Sequence, residues 1–481
     1  MEKKRVAVIG AGPAGLSLLR AFQSAEEKGA EIPELVCFEK QLECGGLWNF
    51  SENTGVDEHG SMYRDLYVNG PKEVNEFVDY SFEEHFGKPV GSYPPRSVLL
   101  DYIKGRAKKF KLCERFVRYH TKVKSVTYSE ETLKFTVTVR DYSTFDYNEG
   151  RLYSEQFDHL VVCTGHFSTP NVPEFKGLKT FKGSLLHAHD LRDVTDFKGK
   201  DVLLVGSGYS AEDIACQCYK FGSKSVTITY RSFPTGCSNW PESITEVPLL
   251  ELVDSNGRTC HFKDGSSKDV DAIILCTGYL HDFPFMPKNL RLVTGHRMWT
   301  MGLYEGVVLE TEPIVFYLGM QAQYYSFTMF DAQAWFVRDV IMGRLALPSI
   351  DEMKAHSEKW RQAEEDALAK RDVKTFQANY LKELIGFTDC PVTPEFVDKT
   401  LKMGSDWDKH KELDIMSYRD HPFRSAVTGS FAPKHHTPWM QQCDDSLESY
   451  LNLGEPTPKL LRILFQRGAT PFHGVTRWHL Q

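Results

Sequence analysis

The sequence of 481 residues has no uninterrupted run of the roughly eighteen apolar residues that a helix needs to cross a bilayer. Met1-Glu2-Lys3-Lys4-Arg5 leads straight into the strand-like Val6-Ala7-Val8-Ile9 without a cleavable apolar segment, so no membrane association is expected and the expected location is cytoplasmic. Basic surplus is missing as well: 57 Lys plus Arg face 65 Asp plus Glu, a formal charge of −8, which argues against a dedicated nucleic-acid binder. No segment is of low complexity, and 41% hydrophobic with 25% charged residues excludes a disordered, collagenous or wholly coiled-coil chain. The 11 cysteines, an odd number scattered through apparent strands and helices, fit neither a disulfide framework nor a zinc ribbon. Cys216 and Cys218 form the only close pair, and two residues apart on a helix they point to nearly opposite sides.

What is present is one pattern written twice. From Arg5 to Lys40 a continuous apolar strand, a glycine turn, a helix with apolar Leu16, Leu18, Leu19, Ala21 and Phe22, and a second strand at 35–38 follow one another. That order marks a parallel sheet covered on both faces. The same order returns at 201–229. Cys163-Thr164-Gly165 and Cys276-Thr277-Gly278 read as the crossings between a large domain and a smaller one inserted into it. Between them and the first unit, 122–140 alternates with period two and predicts antiparallel strands, while 350–384 is charged and helical in period.

The first turn, Gly10-Ala11-Gly12-Pro13-Ala14-Gly15, has the spacing of a dinucleotide fingerprint. Gly10 permits the tight turn, Gly12 lets a pyrophosphate approach the backbone, and Gly15 lets helix and strand pack closely. Glu39 ends the next strand, where a carboxylate accepts hydrogen bonds from a ribose diol. The second turn, Gly206-Ser207-Gly208-Tyr209-Ser210-Ala211, is followed by a strand ending in Tyr230-Arg231-Ser232 instead of a carboxylate. A carboxylate repels a 2′-phosphate and a guanidinium forks onto one, so Glu39 favours FAD or NAD and Arg231 favours NADPH. Two nucleotide folds of opposite preference in one chain imply electron transfer between the ligands: a flavoprotein fed by NADPH. The expected fold class is therefore α/β with two Rossmann-like domains. Residues 1–168 and 281–450 make the FAD domain, the latter with the substrate segment, 169–280 make the inserted NADP domain, and 451–481 form a tail.

No dithiol with Cys-x-x-Cys spacing argues against a disulfide reductase. An oxygen-using flavin enzyme needs no side-chain nucleophile, because the cofactor itself forms a C4a hydroperoxide and the protein has only to shield it and donate hydrogen bonds. Phe181-x-Gly183-x-x-x-His187-x-x-x-Leu191 resembles the fingerprint of the flavin-containing and Baeyer–Villiger monooxygenases, which end it in Phe or Tyr and in Trp respectively. The stretches 20–24, 37–40, Asn69-Gly70-Pro71-Lys72-Glu73, His85-Phe86-Gly87-Lys88-Pro89 and Lys434-His435-His436-Thr437-Pro438-Trp439 resemble the bacterial trimethylamine monooxygenases within that family. The resemblance runs over roughly residues 5 to 450.

It implies that Gly10, Gly12, Pro13, Ala14, Gly15, Glu39 and Lys40 hold the adenosine end of FAD. Leu47, Trp48, His59, the backbone at Val123, and Gln321 would line the flavin. Gly206, Gly208, Tyr209, Ser210, Arg231 and Ser232 would contact NADP. Asn69 would stand beside the reactive face of the flavin as the catalytic residue. The implied activity is NADPH- and O2-dependent oxygenation of soft nucleophiles: tertiary amines such as trimethylamine, sulfides, and indole. A homodimer is implied too. Where those enzymes read Met-Gln-Asp-Gln-Trp-Tyr-Ser-Phe this chain has Met320-Gln321-Ala322-Gln323-Tyr324-Tyr325-Ser326-Phe327. With Ala322 and Tyr324 the substrate site loses a carboxylate and an indole and is expected to be roomier. Leu191 leaves open a Baeyer–Villiger or NADPH-oxidase activity, and a non-enzymatic FAD- and NADP-binding protein is the remaining alternative. No metal is expected, since the adjacent His435 and His436 diverge on an extended segment without ligand partners. His187 and His189 read as structural.

Overall fold

A computed structural model describes residues 3–54, 60–143, 150–434 and 437–452. His59, His435, His436 and most of the tail lie outside the described residues. The strand Arg5–Ile9, buried on both faces, is central to a seven-stranded sheet. Glu34–Phe38 and Val117–Arg118 follow on one side of it, and His159–Val162, Val315–Tyr317, Val308–Leu309 and Leu303–Tyr304 on the other. The middle of the sheet is parallel and the 303–317 edge antiparallel. Because the chain leaves Arg5–Ile9 to both sides, its first glycine turn sits where strand order reverses, the place such sheets bind ligands.

A second sheet of five strands is parallel throughout: Ile244–Pro248, Ser225–Tyr230, Asp201–Val205, Ala272–Leu275 and Ser184–His187. The expected α/β class with two separate, largely parallel sheets is thus observed. The two stretches linking the sheets run side by side, Tyr279 pairing with Pro170 and Leu280 with Thr169. Period-two alternation gives the antiparallel pair Thr121–Ser129 and Lys134–Asp141, with Phe135, Val137 and Val139 fully buried. A third strand, Arg151–Phe157, joins them; its mostly polar, exposed side chains hid it from periodicity.

The stretch 350–384 is two helices, Ile350–Lys370 and Val373–Gly386, with Arg371 at φ 56 between them. The first opens on a capping box, Ser349 with Glu352. With Pro394–Leu413 these helices bring Lys374 and Gln377 to Tyr324, and Trp407 to Gly70 and Tyr209. Cys216 and Cys218 enter different cores, as their opposite directions required.

Candidate functional site

The first glycine turn is locked by backbone proximity. Gly10 adopts φ +103, and a Cβ on Gly15 would lie 2.0 Å from the Gly10 carbonyl oxygen. The helix Pro13–Glu27 starts at Gly12 with Pro13 in its first turn and no side-chain cap, so its leading N–H groups remain available to an anion. Gly12 faces Gly46 across the turn: a Cβ on Gly46 would stand 2.8 Å from the Gly12 Cα. The Gly45 N–H donates to the Ala11 carbonyl at 3.0 Å, which brings the 3₁₀ turn Gly46–Trp48, and hence Leu47 and Trp48, to the same mouth. This narrow all-backbone cradle fits a dinucleotide pyrophosphate.

Glu39 is 4% exposed, and its carboxylate accepts the N–H of Ala11 at 2.7 Å and of Gln41 at 2.8 Å. Burial raises its pKa, with those two backbone bonds opposing. Lys40 is exposed beside it. Thr121 donates to the Glu39 carbonyl at 2.8 Å, which sets Val123 two residues from this strand end. Ala14 packs on Gly319, 3.6 Å from where its Cβ would be, and so positions Gly319-Met320-Gln321. The Gln321 amide, however, points inward: it donates to the Gly306 carbonyl at 3.0 Å and accepts from Gln333 at 3.0 Å. What Gln321 can offer a flavin is its peptide group.

In the second turn Gly206 adopts φ +125, and its Cβ would meet the Cys276 carbonyl at 2.3 Å. Gly208 caps the helix Tyr209–Lys220, and a Cβ there would meet nothing within 4 Å, so the approach to this helix end is open. Ser210, Arg231 and Ser232 are exposed around it. Arg231 has no hydrogen bond or ion pair with the described residues, leaving its guanidinium available to a 2′-phosphate.

Between the turns lies an aromatic box. Asn69 is exposed between buried Val68 and Gly70. A Cβ on Gly70 would be 3.3 Å from the Trp407 ring, and that ring stacks on Tyr209 with centroids 6.1 Å apart. The Tyr209 and Tyr324 hydroxyls lie beside one another. The Lys374 ammonium stands 4.2 Å from the centroid of Trp407 and 5.5 Å from that of Tyr324, donating to the Gly404 carbonyl at 2.6 Å and pairing with Asp408. Burial lowers its pKa against the pull of Asp408. Gln377 pins the substrate segment: it accepts the Tyr324 N–H at 2.8 Å and donates to the Ala322 carbonyl. His166 and His281, one from each linking stretch, stack at 4.8 Å and bond the carbonyls of Gly319 and Met320 at 3.0 and 2.9 Å.

Sequence reasoning missed Trp407, Lys374 and Arg419. Arg419 is fully enclosed and bridges the two units, its Nε donating to the Val68 carbonyl at 3.1 Å and its Nη2 to Asp213 at 2.5 Å. Tyr63 donates to the other Asp213 oxygen. The helix of the second turn is thereby tied to the residue preceding Asn69. Leu191 is 1% exposed and packs in the core of the smaller unit.

A separate polar group lies under this segment. His356 contacts Glu383 at 2.9 Å and buried Glu305 at 3.3 Å. Burial pushes Glu305 up to about 7, His356 opposing, while hydrogen bonding to Glu383 raises His356. Both groups bind protons more tightly folded than unfolded: the contribution of Glu305 is full below the unfolded carboxyl pKa and is lost as pH rises through about 7, whereas that of His356 is full below the unfolded imidazole pKa and is lost as pH rises through its raised value. Glu305→Gln is therefore expected to stabilise the protein by about 1–3 kcal/mol more at pH 8 than at pH 5. Denaturation midpoints at the two pH values check this, and an equal effect at both would refute it.

The two glycine turns and the box between them define a flavin-dependent oxygenase. Residues 3–233 and 250–398 match the flavin-binding monooxygenase-like family, and the chain belongs to it. It is an NADPH-dependent flavin monooxygenase with FAD and NADPH as cofactors. It is 54% identical to a trimethylamine monooxygenase of Methylocella silvestris over 94% of this chain and 99% of that one. Its structure is similar to the crystal structure of Tmm from a Pelagibacter species, with a TM-score of 0.87 and 46% identity over 93% of this chain and 100% of that one. It is also similar to S-allyl-L-cysteine S-oxygenase from Allium sativum, with a TM-score of 0.72 and 28% identity over 87% and 95% of the two chains. Among the described residues no helix is long and apolar enough to cross a membrane.

Proposed function

We propose that this chain oxygenates the nitrogen of neutral tertiary amines, trimethylamine among them, with NADPH and O2 as co-substrates, in the cytoplasm. The observation that carries this is the box in which the Asn69-Gly70 turn meets Trp407, Tyr209 and Tyr324. The first glycine turn, Glu39 and the turn Gly46–Trp48 would hold FAD, which would pass electrons from NADPH to oxygen; the other roles fall to the residues of the box. Asn69 offers an amide for the reacting oxygen or the nicotinamide. The aromatic rings give methyl groups an apolar surface and exclude water. Lys374, already on the Trp407 face, opposes a cationic guest, and Ala322 provides no carboxylate to hold one. A protonated nitrogen has no lone pair to attack with, so repelling it costs nothing.

The box also supports bulkier amines, sulfides and indole, because Ala322 and Tyr324 stand where larger or charged groups would narrow it. This finer point draws on the S-oxygenase likeness as well. Product analysis tests both levels: N-oxide or S-oxide formed per NADPH consumed, for trimethylamine and for a larger amine and sulfide. Peroxide as the sole oxygen product with every substrate would overturn the proposal. Better turnover of trimethylamine than of any larger nucleophile would overturn the finer point alone.

Two further results are expected. Below the amine's own pKa, the KM for total trimethylamine should rise about tenfold per pH unit, following the neutral fraction; a flat profile would show that the cation binds productively. Arg231→Ala should raise the KM for NADPH roughly 10- to 100-fold, the worth of a charge-assisted hydrogen bond or two, and leave that for NADH unchanged. Parallel losses for both nucleotides would show that Arg231 does not read the 2′-phosphate.

A further inference from the structure

Cys44 and Cys113, far apart in sequence, meet outside the site just described. Cys44 directly precedes Gly45 and Gly46 of the first nucleotide cradle, and Cys113 lies in the short helix Leu112–Phe116. Both line an open cavity of about 300 Å³ together with Tyr119, Lys104 and Glu43. The two thiols and the Tyr119 hydroxyl lie close enough on its wall to interact with one another. No other two cysteines are so placed: Cys216 meets the Met416 sulfur, Cys237 meets Glu212, and most of the others are sealed in the cores. The neighbouring Cys113 holds the Cys44 thiol below its ordinary range against burial, with Tyr119 and Lys104 assisting, whereas Cys113 is pushed up. An attacking thiolate, a resolving thiol and a cavity large enough for a small oxidant are therefore assembled at one place.

We infer that Cys44 and Cys113 are a redox couple that hydrogen peroxide closes into a disulfide. In the first step the Cys44 sulfur attacks one peroxide oxygen: an S–O bond forms, the O–O bond breaks, and the other oxygen leaves as hydroxide and takes up a proton to become water. In the second the Cys113 sulfur attacks that of Cys44: the S–S bond forms, the S–O bond breaks, and the departing hydroxide leaves as water with the Cys113 proton. Two thiols have lost two electrons and two protons, and one peroxide has become two waters. The bridge tethers the segment ahead of Gly45 to the helix Leu112–Phe116. The backbone there has no slack, since Gly46 already crowds Gly12. Oxidation is therefore felt at the turn that, on the cofactor assignment above, flanks the flavin.

The test uses the FAD-loaded enzyme, fully reduced, freed of reductant and given a small molar excess of hydrogen peroxide. Two of the 11 thiols should disappear within the chain. Peptide mapping should show a Cys44–Cys113 link that dithiothreitol reverses, accompanied by a reversible change in flavin fluorescence. Cys113→Ser should trap Cys44 as a sulfenic acid that dimedone captures, and Cys44→Ser should give neither link nor adduct at Cys113. Should Cys44→Ser fail to fold, the wild-type map and the Cys113→Ser adduct still decide. Oxidation confined to exposed Cys443, or an unmodified Cys44 in Cys113→Ser, would overturn the couple. A link without any flavin response would overturn its connection to the turn. These readouts are covalent, so they stand apart from whether the enzyme oxygenates amines.

Discussion

Arg419→Ala is expected to cost about 3–5 kcal/mol of stability, the usual consequence of removing one partner from a buried ion pair. The guanidinium is 3% exposed and Asp213 6%. Truncation strands the Asp213 carboxylate with Tyr63 alone, unmakes the bond to the Val68 carbonyl, and empties the face of Trp439, where the guanidinium carbon lies 4.2 Å from the ring centroid. Arg419→Lys keeps the charge but not the fork, so it should fall between the two. In molecules that still fold, the helix Tyr209–Lys220 is no longer tied to the residue before Asn69. The KM for NADPH should rise and a larger share of NADPH should be consumed without substrate oxygenation. The Asp213→Asn variant should shift the same two quantities in the same direction, which a defect in packing around Trp439 would not do. Two units unfolding separately would give two transitions, so the comparison belongs to the first of them. A loss below about 1 kcal/mol would mean that water enters and solvates Asp213, and the latch would have to be abandoned.

What could be seen beforehand and what could not follows from distance along the chain. Each fingerprint is a local object. Gly10, Gly12 and Gly15 act on one strand, one turn and one helix, so spacing alone reveals the backbone contacts that forbid a Cβ at Gly10 and Gly15. Glu39 and Arg231 were equally legible, because each ends the strand that follows its turn. The substrate box is different. Trp407, Lys374 and Gln377 come from helices beyond residue 370 and reach Tyr324 and Gly70 only through packing. Sequence comparison alone suggested that an indole was lost with Tyr324; in the structure the indole of Trp407 shares the Lys374 ammonium with the Tyr324 ring. Cys44 and Cys113 escaped for the same reason, since a search by spacing finds Cys216 and Cys218, which share no core. Gln321 shows the opposite failure. Nothing local indicated that its amide would turn toward Gly306 and Gln333.

Asn69→Leu is expected to lower product formation by about 100- to 1000-fold, the cost of removing one preorganised donor from a water-poor site, with almost no change in stability. The two halves of this expectation come from the same geometry. Backbone partners fix the turn on both sides: the Val68 N–H donates to the Pro94 carbonyl at 3.0 Å, the Val68 carbonyl accepts from Arg419, and Gly70 rests on Trp407. The Asn69 side chain is exposed and makes no hydrogen bond to the described residues, so the fold gains little from it. On the proposed function, a polar amide held rigidly at its backbone and unused by the protein is free to serve a ligand. Asn69→Asp should be at least as damaging as leucine, because an ionised carboxylate has no proton to donate and repels a reacting oxygen that gains negative charge. Asn69→Ser, with one donor on a shorter arm, should recover part of the loss. The measurement is N-oxide formed per NADPH oxidised, beside the denaturation midpoint of each variant. Should Asn69→Leu retain activity within a few-fold of wild type, or lose it only in proportion to lost stability, Asn69 is a turn residue and the donor to the reacting oxygen must be sought elsewhere in the box.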